Sequence, residues 1–475
     1  MTTKPYLVAG DWRTGDDSFE VGSPYDGAVV AEVGSPTDGD IEEATAAAAR
    51  TFEESHTLPV HARADALAHI SRRLQERSDE VAETIAREGG KPLKWSKVEA
   101  ARAVSTFRWA GETARHMDGE LLRLDTDAAL GSRLGLVRRF PYGPVLGIAP
   151  FNFPVNLVAH KMAPALAVGA PIVIKPASAT PLGALLLGEL FAETDLPPGM
   201  LSVLPTSSEN AERMVRDERF KKVSFTGSSP VGWKIKGLDP KKHFTLELGG
   251  NAGVIVHSDA DLDHAAQRVA FGGYYQAGQS CIAVQRIFVH APAYDDLVTR
   301  LVKQVETLKV GDPMDPETEV GPLIDDKGLD KVASMVDEAV SQGAEVLVGG
   351  ERKDPFYMPT VLASVRDDME VCREEIFGPV TTISRYQTFE EAIDKVNGTA
   401  FGLQAGVFTS DIERAFLAHR DIRVGGVIVN DVSAFRADQM PYGGSKESGY
   451  GREGLRYAME EMTEPRIMVL SNLPL

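Results

Sequence analysis

The chain has 475 residues, of which 43 % are hydrophobic and 25 % are charged, and its formal net charge is -19. This length and composition indicate a globular protein of about three domain-sized units. The acidic excess argues against nucleic acid as a partner, because phosphate binding needs a clustered basic surface. An anionic small molecule would have to bind in a local basic pocket.

Signals for membranes, secretion and metals are absent from the sequence. No segment approaches the ~20 apolar residues that span a bilayer, and the start, MTTKPYLVAGDW, lacks the basic and apolar regions of a signal peptide. The two cysteines, Cys281 and Cys372, are too few for a disulfide framework, and no Cys/His cluster has metal-ligand spacing. We therefore expect a cytoplasmic protein that binds neither a membrane nor a metal.

The first part of the chain has helical periodicity followed by a short β-type segment. Ala-, Leu-, Glu- and Arg-rich runs with apolar residues three and four apart predict helices at 41–54, 62–88 and 95–117. Residues 119–141 instead alternate apolar and polar side chains around a Gly-Ser turn. That alternation predicts a β-hairpin or projecting arm.

From about residue 143 the chain repeats a strand, a loop and a helix. Short apolar strands that alternate with helices favour a parallel sheet covered on both faces. The predicted strands are 145–150, 171–176, 200–205, 221–227 and 243–250. The predicted helices are 154–168, opened by Pro154, 181–193, and one that starts near Ser228.

A second α/β series is predicted from about residue 251. Its helices are 261–276, 293–307 and 388–397, and its strands are 286–290, 345–348, 380–385 and 426–430. The tail, 466–473, is a further β-type segment without an obvious hairpin partner. Such a terminal strand either pairs with another chain or forms an ordinary edge strand.

Cys281 and Glu247 are the first candidates for catalysis. Cys281 follows Gly278-Gln279-Ser280 in a turn that can present backbone N–H groups to an oxygen, although a lone cysteine is usually a small buried hydrophobe. Glu247 lies in Leu-Glu-Leu-Gly-Gly at a strand end. A desolvated carboxylate there has a raised pKa and serves as a general base, unless it is a buried ion-paired residue. A thiolate nucleophile beside a base would explain both residues.

Asn152 lies in Pro-Phe-Asn-Phe-Pro, at the carboxyl end of the strand 145–150. Ligands bind at that edge in open α/β sheets. The amide can donate a hydrogen bond to a developing oxyanion, together with the N–H of Cys281, and each such donor is worth about 3 kcal/mol. The alternative is an Asn that satisfies the loop or caps the following helix.

Several loops are suited to a nucleotide. Lys175 ends a strand and suits a ribose hydroxyl or a phosphate. The segment 227–232, GSSPVG, joins a strand to a helix N-terminus, which attracts pyrophosphate, but it is neither a Gly-x-Gly-x-x-Gly nor a Walker motif. Glu374 and Glu375 precede Phe377, so a ribose contact and an aromatic that faces a nicotinamide are both possible.

Together and in this order, seven stretches resemble the aldehyde dehydrogenase superfamily. They are PFNFP (150–154), VIKPAS (173–178), FTGSSPVG (225–232), LELGGN (246–251), GQSC (278–281), EEIFGPV (374–380) and PYGGSKESGYGREG (441–454). The resemblance implies an α/β fold of three domains, with two parallel-sheet α/β domains and a small β oligomerisation arm. The implied ranges are a Rossmann-like nucleotide-binding domain at 1–118 and 142–249 with 447–464, a catalytic domain at 250–446, and an arm at 119–141 and 465–475.

The resemblance also assigns catalytic roles. Cys281 is implied to be the nucleophile, Glu247 the base that activates the deacylating water, and the Asn152 amide with the Cys281 backbone N–H the oxyanion hole. The thiolate adds to an aldehyde, hydride passes to NAD or NADP, and water cleaves the resulting thioester to a carboxylic acid. The implied arm joins subunits into a homodimer or homotetramer.

The same motifs imply a set of coenzyme contacts. Lys175 and Glu375 would hold ribose hydroxyls, Ser228 the pyrophosphate, and Phe377 would pack near the nicotinamide ribose. Position 178 is Ser, where many NAD-preferring relatives carry a Glu that repels a 2′-phosphate, so both NAD and NADP are admissible. Further expected contacts are Ala149, Pro150, Phe151, Gly227 and Leu248.

The substrate branch is indicated by PVNLVAHKMAPALA (154–167) and GQSCIAVQRIFVH (278–290), which resemble lactaldehyde and phosphonoacetaldehyde dehydrogenases. Members of that branch take short polar aldehydes, some of them anionic. Arg108 and His160 are similar to its candidates for anion contacts, with a surface helix charge and a packing residue as the alternatives. Phe435 is a further substrate candidate. Ser280 stands where a phosphonate-specific enzyme would carry Arg, which favours lactaldehyde-like or semialdehyde substrates.

Two other functions compete with hydrolytic oxidation. A CoA-acylating semialdehyde dehydrogenase would share the thioester, but relatives of that kind tend to lack the Glu at position 247. A catalytically silent binding protein would not need Cys281, Glu247, Asn152 and Lys175 together. A phosphonoacetaldehyde-specific dehydrogenase is the alternative within the same class.

Overall fold

The computed structural model describes residues 2–55, 57–117 and 119–472. Of the ranges expected from the sequence, residues 1, 56 and 118 of the nucleotide-binding domain and residues 473–475 of the arm lie outside the described residues. The last residue of the predicted strand 466–473 lies outside them as well.

The N-terminal part contains four short strands and four helices. They are β1 (Tyr6–Val8), β2 (Asp11–Arg13), β3 (Asp17–Gly22), β4 (Val29–Ser35), α1 (Asp38–Ser55), α2 (Val60–Glu76), α3 (Ser78–Gly89) and α4 (Leu93–Arg115). The helix predicted at 62–88 is two helices, because the backbone leaves helical geometry at Arg77 (φ -103, ψ 20). The helices predicted at 41–54 and 95–117 are confirmed with ends shifted by a few residues.

The middle of the chain begins with the predicted hairpin, whose two strands pair antiparallel. Helix α5 begins at Asn156 rather than at Pro154. The elements are β5 (Glu120–Arg123), β6 (Arg133–Pro141), β7 (Val145–Ile148), α5 (Asn156–Val168), β8 (Ile172–Lys175), α6 (Leu182–Ala192), β9 (Leu201–Val203), α7 (Ser208–Arg216), β10 (Lys222–Thr226), α8 (Ser229–Leu238) and β11 (His243–Glu247).

The remaining elements include strands and helices that the sequence patterns did not predict. The first eight of these elements are β12 (Ala252–Val256), α9 (Leu262–Tyr274), β13 (Val284–His290), α10 (Tyr294–Glu306), α11 (Asp326–Ser341), β14 (Glu345–Val348), β15 (Arg352–Lys353) and β16 (Phe356–Tyr357). They continue with β17 (Thr360–Ala363), α12 (Glu370–Arg373), β18 (Val380–Tyr386), α13 (Phe389–Asn397), β19 (Gln404–Phe408), α14 (Ile412–Asp421), β20 (Gly426–Val429), β21 (Gly449–Tyr450), α15 (Leu455–Glu461) and β22 (Thr463–Ser471).

The first sheet has eight strands in the order β2-β1-β9-β8-β7-β10-β11-β21. Its five central strands, β9, β8, β7, β10 and β11, are parallel to one another. Strands β1, β2 and β21 join at the edges in antiparallel pairs. The five strands predicted between residues 145 and 250 thus form the parallel centre of this sheet, as expected, and antiparallel strands are added at both edges. Ile148 pairs with Lys175 and Thr226 pairs with Glu247, so the carboxyl ends of four parallel strands meet at one edge.

The second sheet has seven strands in the order β14-β17-β18-β13-β12-β19-β20, with only β14 antiparallel to its neighbour. The first two of its strands along the chain are β12, which begins at Ala252, and β13. The other five lie between residues 345 and 429. Each sheet has its own hydrophobic core. The turn that carries Cys281 leads directly into β13.

The third sheet is a three-stranded arm in the order β22-β6-β5, and all of its pairs are antiparallel. Strand β22 pairs with β6 from Thr463 opposite Pro141 to Ser471 opposite Arg133. The C-terminal strand is therefore an edge strand whose partner is the arm of its own chain. Across the residues that the structure describes, no helix is both long and apolar enough to cross a membrane.

Candidate active site

Cys281 is presented by a tight turn between α9 and β13. Gln276 and Ala277 both have φ 54 and ψ 33, in the left-handed region that residues with a side chain seldom adopt. Gly278 follows at φ 68, and a Cβ on it would lie 2.1 Å from the carbonyl oxygen of Gly378. A side chain at position 278 is therefore excluded. The turn packs closely on the neighbouring loop, which holds Cys281 in place.

Two cavities meet at Cys281. The first, of about 450 Å³, lies at the carboxyl ends of the first sheet's parallel strands, and we call it the sheet-end cavity. The second, of about 370 Å³, lies beside α4 and α9, and we call it the arginine cavity. Cys281 and Leu157 line both cavities. Side chains that define the first are Pro150, Phe151, Asn152, Gly227, Glu247 and Phe377, and those that define the second are Arg102, Arg268, Tyr275, Phe435, Arg436 and Tyr442.

Among the described residues, the hydroxyl of Tyr442 is the one group with a hydrogen-bond contact to the Cys281 thiol. The distance from Sγ to Oη is 3.0 Å. Burial raises the pKa of Cys281 to about 12, against the lowering effects of the Tyr442 hydroxyl and the Arg436 guanidinium. The sulfur therefore carries its proton at neutral pH in the resting site, and nucleophilic attack requires that this proton leaves.

Glu247 ends β11 with only 2 % of its surface exposed. Neither of its carboxyl oxygens has a hydrogen-bond partner among the described residues. Burial, with the nearby charge of Glu453, raises the pKa of Glu247 well above its ordinary value. Buried carboxyl groups are normally hydrogen-bonded, so an unpartnered one with a raised pKa is typical of a group that acts on a ligand or on water.

A buried charge network stands behind Glu247. Lys161, on α5, donates to Ser224 Oγ at 3.2 Å, to Thr226 Oγ1 at 2.7 Å and to Glu453 at 3.1 Å. Glu453 also accepts a hydrogen bond from Arg436 at 3.1 Å. Burial opposes ionisation of Glu453, but these two cations outweigh it and lower its pKa to about 2. The network keeps Glu453 charged, and that charge helps to keep the proton affinity of Glu247 high.

Asn152 lies in the loop after β7, on the same cavity as Cys281 and Glu247. Its Nδ2 donates to the backbone oxygen of Gln279 at 3.0 Å, and its own backbone oxygen accepts from the side-chain amide of Gln276. An amide nitrogen carries two hydrogens, so one remains for a ligand. Asn152, Glu247 and Cys281 all line the sheet-end cavity. Three side chains expected to converge thus lie around one space.

The predicted coenzyme residues lie along the same sheet edge. Lys175 ends β8 and is buried, its side chain has no hydrogen-bond partner in the described part of the chain, and burial lowers its pKa. Its backbone oxygen accepts from the N–H of Ala149, which is buried behind the cavity wall. Ser178 is exposed just beyond Ala177, which lines the cavity.

Gly227 and Ser228 close the cavity at the start of α8. Ser228 is the N-cap of α8, and its side chain makes no capping hydrogen bond. A Cβ on Gly227 would lie 2.6 Å from the ring of Phe225, so the backbone alone fits there. Leu248, almost fully buried, packs under Gly232 of the helix. A helix N-terminus with a free hydroxyl and a bare backbone suits a pyrophosphate.

Glu375 and Phe377 form the opposite wall. Oε1 of Glu375 accepts from the N–H of Gly250 at 2.9 Å, and burial raises the pKa of Glu375 to about 7. Phe377 has φ 57 and meets Phe151 edge to face, with ring centroids 5.9 Å apart. A carboxylate, a buried ammonium and an aromatic wall around a helix N-terminus fit a dinucleotide.

The arginine cavity holds three guanidinium groups, each paired with an acid. Arg102 donates to Asp438 at 2.8 Å and Arg268 pairs with Asp431 at 2.6 Å. Arg436 pairs with Glu453 and lies 3.7 Å from the ring centroid of Tyr442, and its buried Nε has no partner among the described residues. The remaining wall is largely aromatic and is formed by Trp95, Phe153, Phe271, Tyr275 and Phe435.

Two of the predicted substrate residues, Arg108 and His160, line neither cavity. Arg108 is 60 % exposed and faces Glu112 and Trp109 on the surface of α4, outside both cavities. The side chain of His160 is fully buried and binds Asp438 at 3.1 Å and Thr106 at 3.4 Å. It supports Asp438 rather than lining the cavity.

Arg102 replaces Arg108 as the arginine of α4 that reaches the cavity. Six residues rotate a helix by about 240°, so the two side chains lie on different faces. Phe435 does line the arginine cavity, and its substrate contact stays a prediction. Tyr442 lies within the stretch 441–454 and Arg436 lies just before it, but no sequence signal distinguished either residue.

Known proteins match the chain over nearly its whole length. The model of the "Aldehyde dehydrogenase family" matches residues 12–468. The 3-sulfolactaldehyde dehydrogenase of Priestia megaterium is 43 % identical over 465 residues, covering 98 % of this chain and 97 % of that protein. The crystal structure of aldehyde dehydrogenase 21 from Physcomitrella patens, in complex with the reaction product succinate, has a TM-score of 0.98 at 42 % identity and covers 100 % of both chains.

A further solved structure contains a coenzyme. Glyceraldehyde-3-phosphate dehydrogenase from Methanocaldococcus jannaschii, complexed with NADP, has a TM-score of 0.92 at 36 % identity, covering 96 % of this chain and 100 % of that one. These matches confirm the predicted α/β architecture and the predicted class of enzyme. The chain belongs to the aldehyde dehydrogenase family of NAD(P)-dependent oxidoreductases.

Proposed function

We propose that this enzyme oxidises a short polar aldehyde with an anionic group to the carboxylic acid, through a thioester on Cys281. One observation carries the proposal: Cys281 lines both the sheet-end cavity and the arginine cavity. An aldehyde in the arginine cavity reaches the sulfur from one side. A hydride acceptor in the sheet-end cavity reaches the same carbon from the other side.

The first half of the reaction forms a bond between Sγ of Cys281 and the aldehyde carbon. The thiol loses its proton, and the carbonyl oxygen takes up the negative charge. The free N–H of the Asn152 amide and the backbone N–H of Cys281 stabilise that oxyanion, at about 3 kcal/mol for each donor. A bound nicotinamide coenzyme supplies the acceptor for the hydride that leaves the carbon.

The second half hydrolyses the thioester on Cys281. Glu247 takes a proton from a water molecule, whose oxygen attacks the acyl carbon. The carbon–sulfur bond then breaks, the acid leaves, and the sulfur recovers a proton. The raised pKa and unpartnered oxygens of Glu247 suit this role, because a base acts best when its pKa approaches the working pH.

The sheet-end cavity would hold the coenzyme. Lys175 and Glu375 are placed for ribose hydroxyls, Ser228 for the pyrophosphate at the α8 N-terminus, and Phe377 for the nicotinamide ribose. The uncharged Ser178 neither binds a 2′-hydroxyl strongly nor repels a 2′-phosphate. We therefore propose that the enzyme accepts NAD and NADP, in line with the NADP bound by the Methanocaldococcus jannaschii relative.

The arginine cavity would hold the anionic end of the aldehyde. Its three guanidinium groups lie among aromatic side chains, where a carboxylate or sulfonate gains more from charge than it does in water. The relatives agree with this chemistry, since one is named for a sulfonated lactaldehyde and another was crystallised with succinate. Ser280 adds no positive charge, which favours these anions over a phosphonate.

The arm and the domain division complete the proposal. We propose a nucleotide-binding domain at 1–118 and 142–249 with 447–464, a catalytic domain at 250–446, and an oligomerisation arm at 119–141 and 465–475. The arm sheet exposes apolar side chains on both of its faces, which suits a homodimer or homotetramer. These are Leu121, Ile467, Met468 and Val469.

The proposal is tested by an aldehyde panel assayed with each nicotinamide. We expect lactaldehyde, sulfolactaldehyde and succinate semialdehyde to give their acids without CoA, with a higher kcat/KM for the two anionic aldehydes. Reduction of the coenzyme and mass spectrometry of the acid are the measurements. Strict CoA dependence would favour the acylating alternative, and a preference for phosphonoacetaldehyde would favour the phosphonate-specific one.

Arg102→Met is expected to lower kcat/KM for succinate semialdehyde by about tenfold or more relative to neutral butyraldehyde, because a charged hydrogen bond is worth roughly 1.5–3 kcal/mol. Steady-state kinetics with both aldehydes measure this selectivity. Arg108→Met is the matched control, because that arginine lies on the same helix outside the cavity. Equal losses with both aldehydes in Arg102→Met would contradict the anion site.

A further inference from the structure

Tyr442 is held rigidly against the sulfur of Cys281. Its N–H donates to the backbone oxygen of Glu453 at 3.0 Å, and the N–H of Glu453 donates back at 2.6 Å. The ring is 2 % exposed and clusters with Ile282 and Leu403. With the backbone and the ring both fixed, Oη cannot move away from its position 3.0 Å from Sγ.

We propose that Tyr442 positions the nucleophile and stabilises its thiolate by donating its hydroxyl hydrogen to Sγ of Cys281. The inference rests on the proposed function, in which Cys281 attacks the aldehyde. A thiolate has no hydrogen to give, so only Tyr442 can be the donor once the proton has left. Tyr442 keeps its own proton throughout.

The guanidinium of Arg436 strengthens this donor. It lies 3.7 Å from the centroid of the Tyr442 ring. A cation over a phenol draws electron density from the ring and makes the O–H a better hydrogen-bond donor. The same charge also attracts the thiolate directly.

The electrostatics around Sγ show why a short-range donor is needed. The titratable and charged groups that act on it from the packed elements are Tyr442, Arg436 and Tyr275 in the arginine cavity, and Glu247 and Glu375 in the sheet-end cavity. The two carboxyl groups oppose formation of the thiolate. Among the described side chains, Tyr442 alone has a hydrogen-bond contact with Sγ.

The test is alkylation of Cys281 by iodoacetamide in the full-length protein without added coenzyme. The thiol proton leaves to solvent, the Sγ–C bond forms, and iodide departs, so the rate reports the thiolate without turnover. We expect Tyr442→Phe to displace the curve of log rate against pH toward higher pH by about one to two pH units, which makes alkylation at neutral pH roughly 10- to 100-fold slower. Mass spectrometry of the peptide separates Cys281 from Cys372.

Tyr386→Phe is the matched control for this measurement. It also removes one buried phenol oxygen, but that hydroxyl lies 2.7 Å from Nδ1 of His257, outside both cavities. We expect its alkylation curve to coincide with that of the unmodified protein. Coincident curves for Tyr442→Phe and the unmodified protein would overturn the inference, as would equal displacement in both variants.

A second variant keeps the test independent of the stability of Tyr442→Phe. Fluorotyrosine at position 442 retains the ring packing and has a more acidic hydroxyl, so we expect it to displace the curve toward lower pH. An unchanged curve would contradict donation from Oη. Failure of the proposed function is a separate result, in which a variant without the Cys281 sulfur still oxidises aldehydes.

Discussion

Cys281→Ala is expected to lower kcat for aldehyde oxidation by roughly 10⁴-fold or more while coenzyme binding remains. Of the described side chains that line both cavities, Cys281 alone offers a nucleophile for the proposed covalent intermediate, and removal of a nucleophile costs catalysis on this order. The residues that suit the coenzyme lie on β8, α8 and the 374–377 loop, away from the substituted side chain. Coenzyme reduction measures the first effect, and fluorescence titration with NAD and NADP measures the second.

Cys372→Ala is the matched control for this substitution. Cys372 is the other cysteine of the chain and is buried in the core of the second sheet, outside both cavities. We expect this variant to keep its aldehyde oxidation activity. Near-normal oxidation by Cys281→Ala would exclude the covalent mechanism, whereas loss of coenzyme binding would show that the substitution disturbs the cleft.

Glu247→Gln is expected to release one equivalent of reduced coenzyme in a burst and then to turn over about 10²- to 10⁴-fold more slowly. The amide cannot take a proton from water, so the thioester accumulates on Cys281 after the hydride has left. Gln is close to Glu in size, and neither carboxyl oxygen has a protein partner to lose. Stopped-flow absorbance measures the burst, and mass spectrometry of the intact protein measures the acyl group.

The pH dependence of hydrolysis gives the same experiment a second readout. Glu247 acts as a base only after it loses its proton, and its pKa lies well above the ordinary value. Thioester hydrolysis should therefore rise as pH rises through that pKa, and Glu247→Gln should remove this rising limb. Glu112→Gln, on the exposed face of α4, should keep it. Unchanged turnover in Glu247→Gln would reject the assignment of the base.

The sequence was sufficient to predict the convergence of Asn152, Glu247 and Lys175. Each follows or ends an apolar strand, and parallel strands place their carboxyl ends at one edge. Cys281 could be added because its glycine-containing turn leads into another strand. Local patterns and one rule of sheet topology thus accounted for the side of the site that faces the first sheet.

The arginine cavity could not be predicted in the same way. Arg102, Arg268 and Arg436 come from two helices and a loop, and the cavity exists only where these elements pack together. Periodicity predicts that α4 is a helix, but both Arg102 and Arg108 lie on its partly polar surface. Only the packing of α4 against α9 decides which arginine faces the arginine cavity.

Short strands were missed for a related reason. β12, β17 and β19 are apolar runs of four or five residues, too short for their periodicity to separate them from loops or buried helix turns. β1 and β2 join the first sheet at an edge formed with residues far along the chain. Their conformation depends on that distant partner more than on local propensity.

The pairing of β22 with β6 has a consequence for the order in which the molecule matures. Thr463 meets Pro141 across a stretch that contains the entire second sheet, and β21 also completes the first sheet from the far end of the chain. During synthesis the second sheet can close as one continuous segment, while the first sheet and the arm wait for β21 and β22. The arm sheet therefore reaches its three-stranded form only after the second sheet has been synthesised.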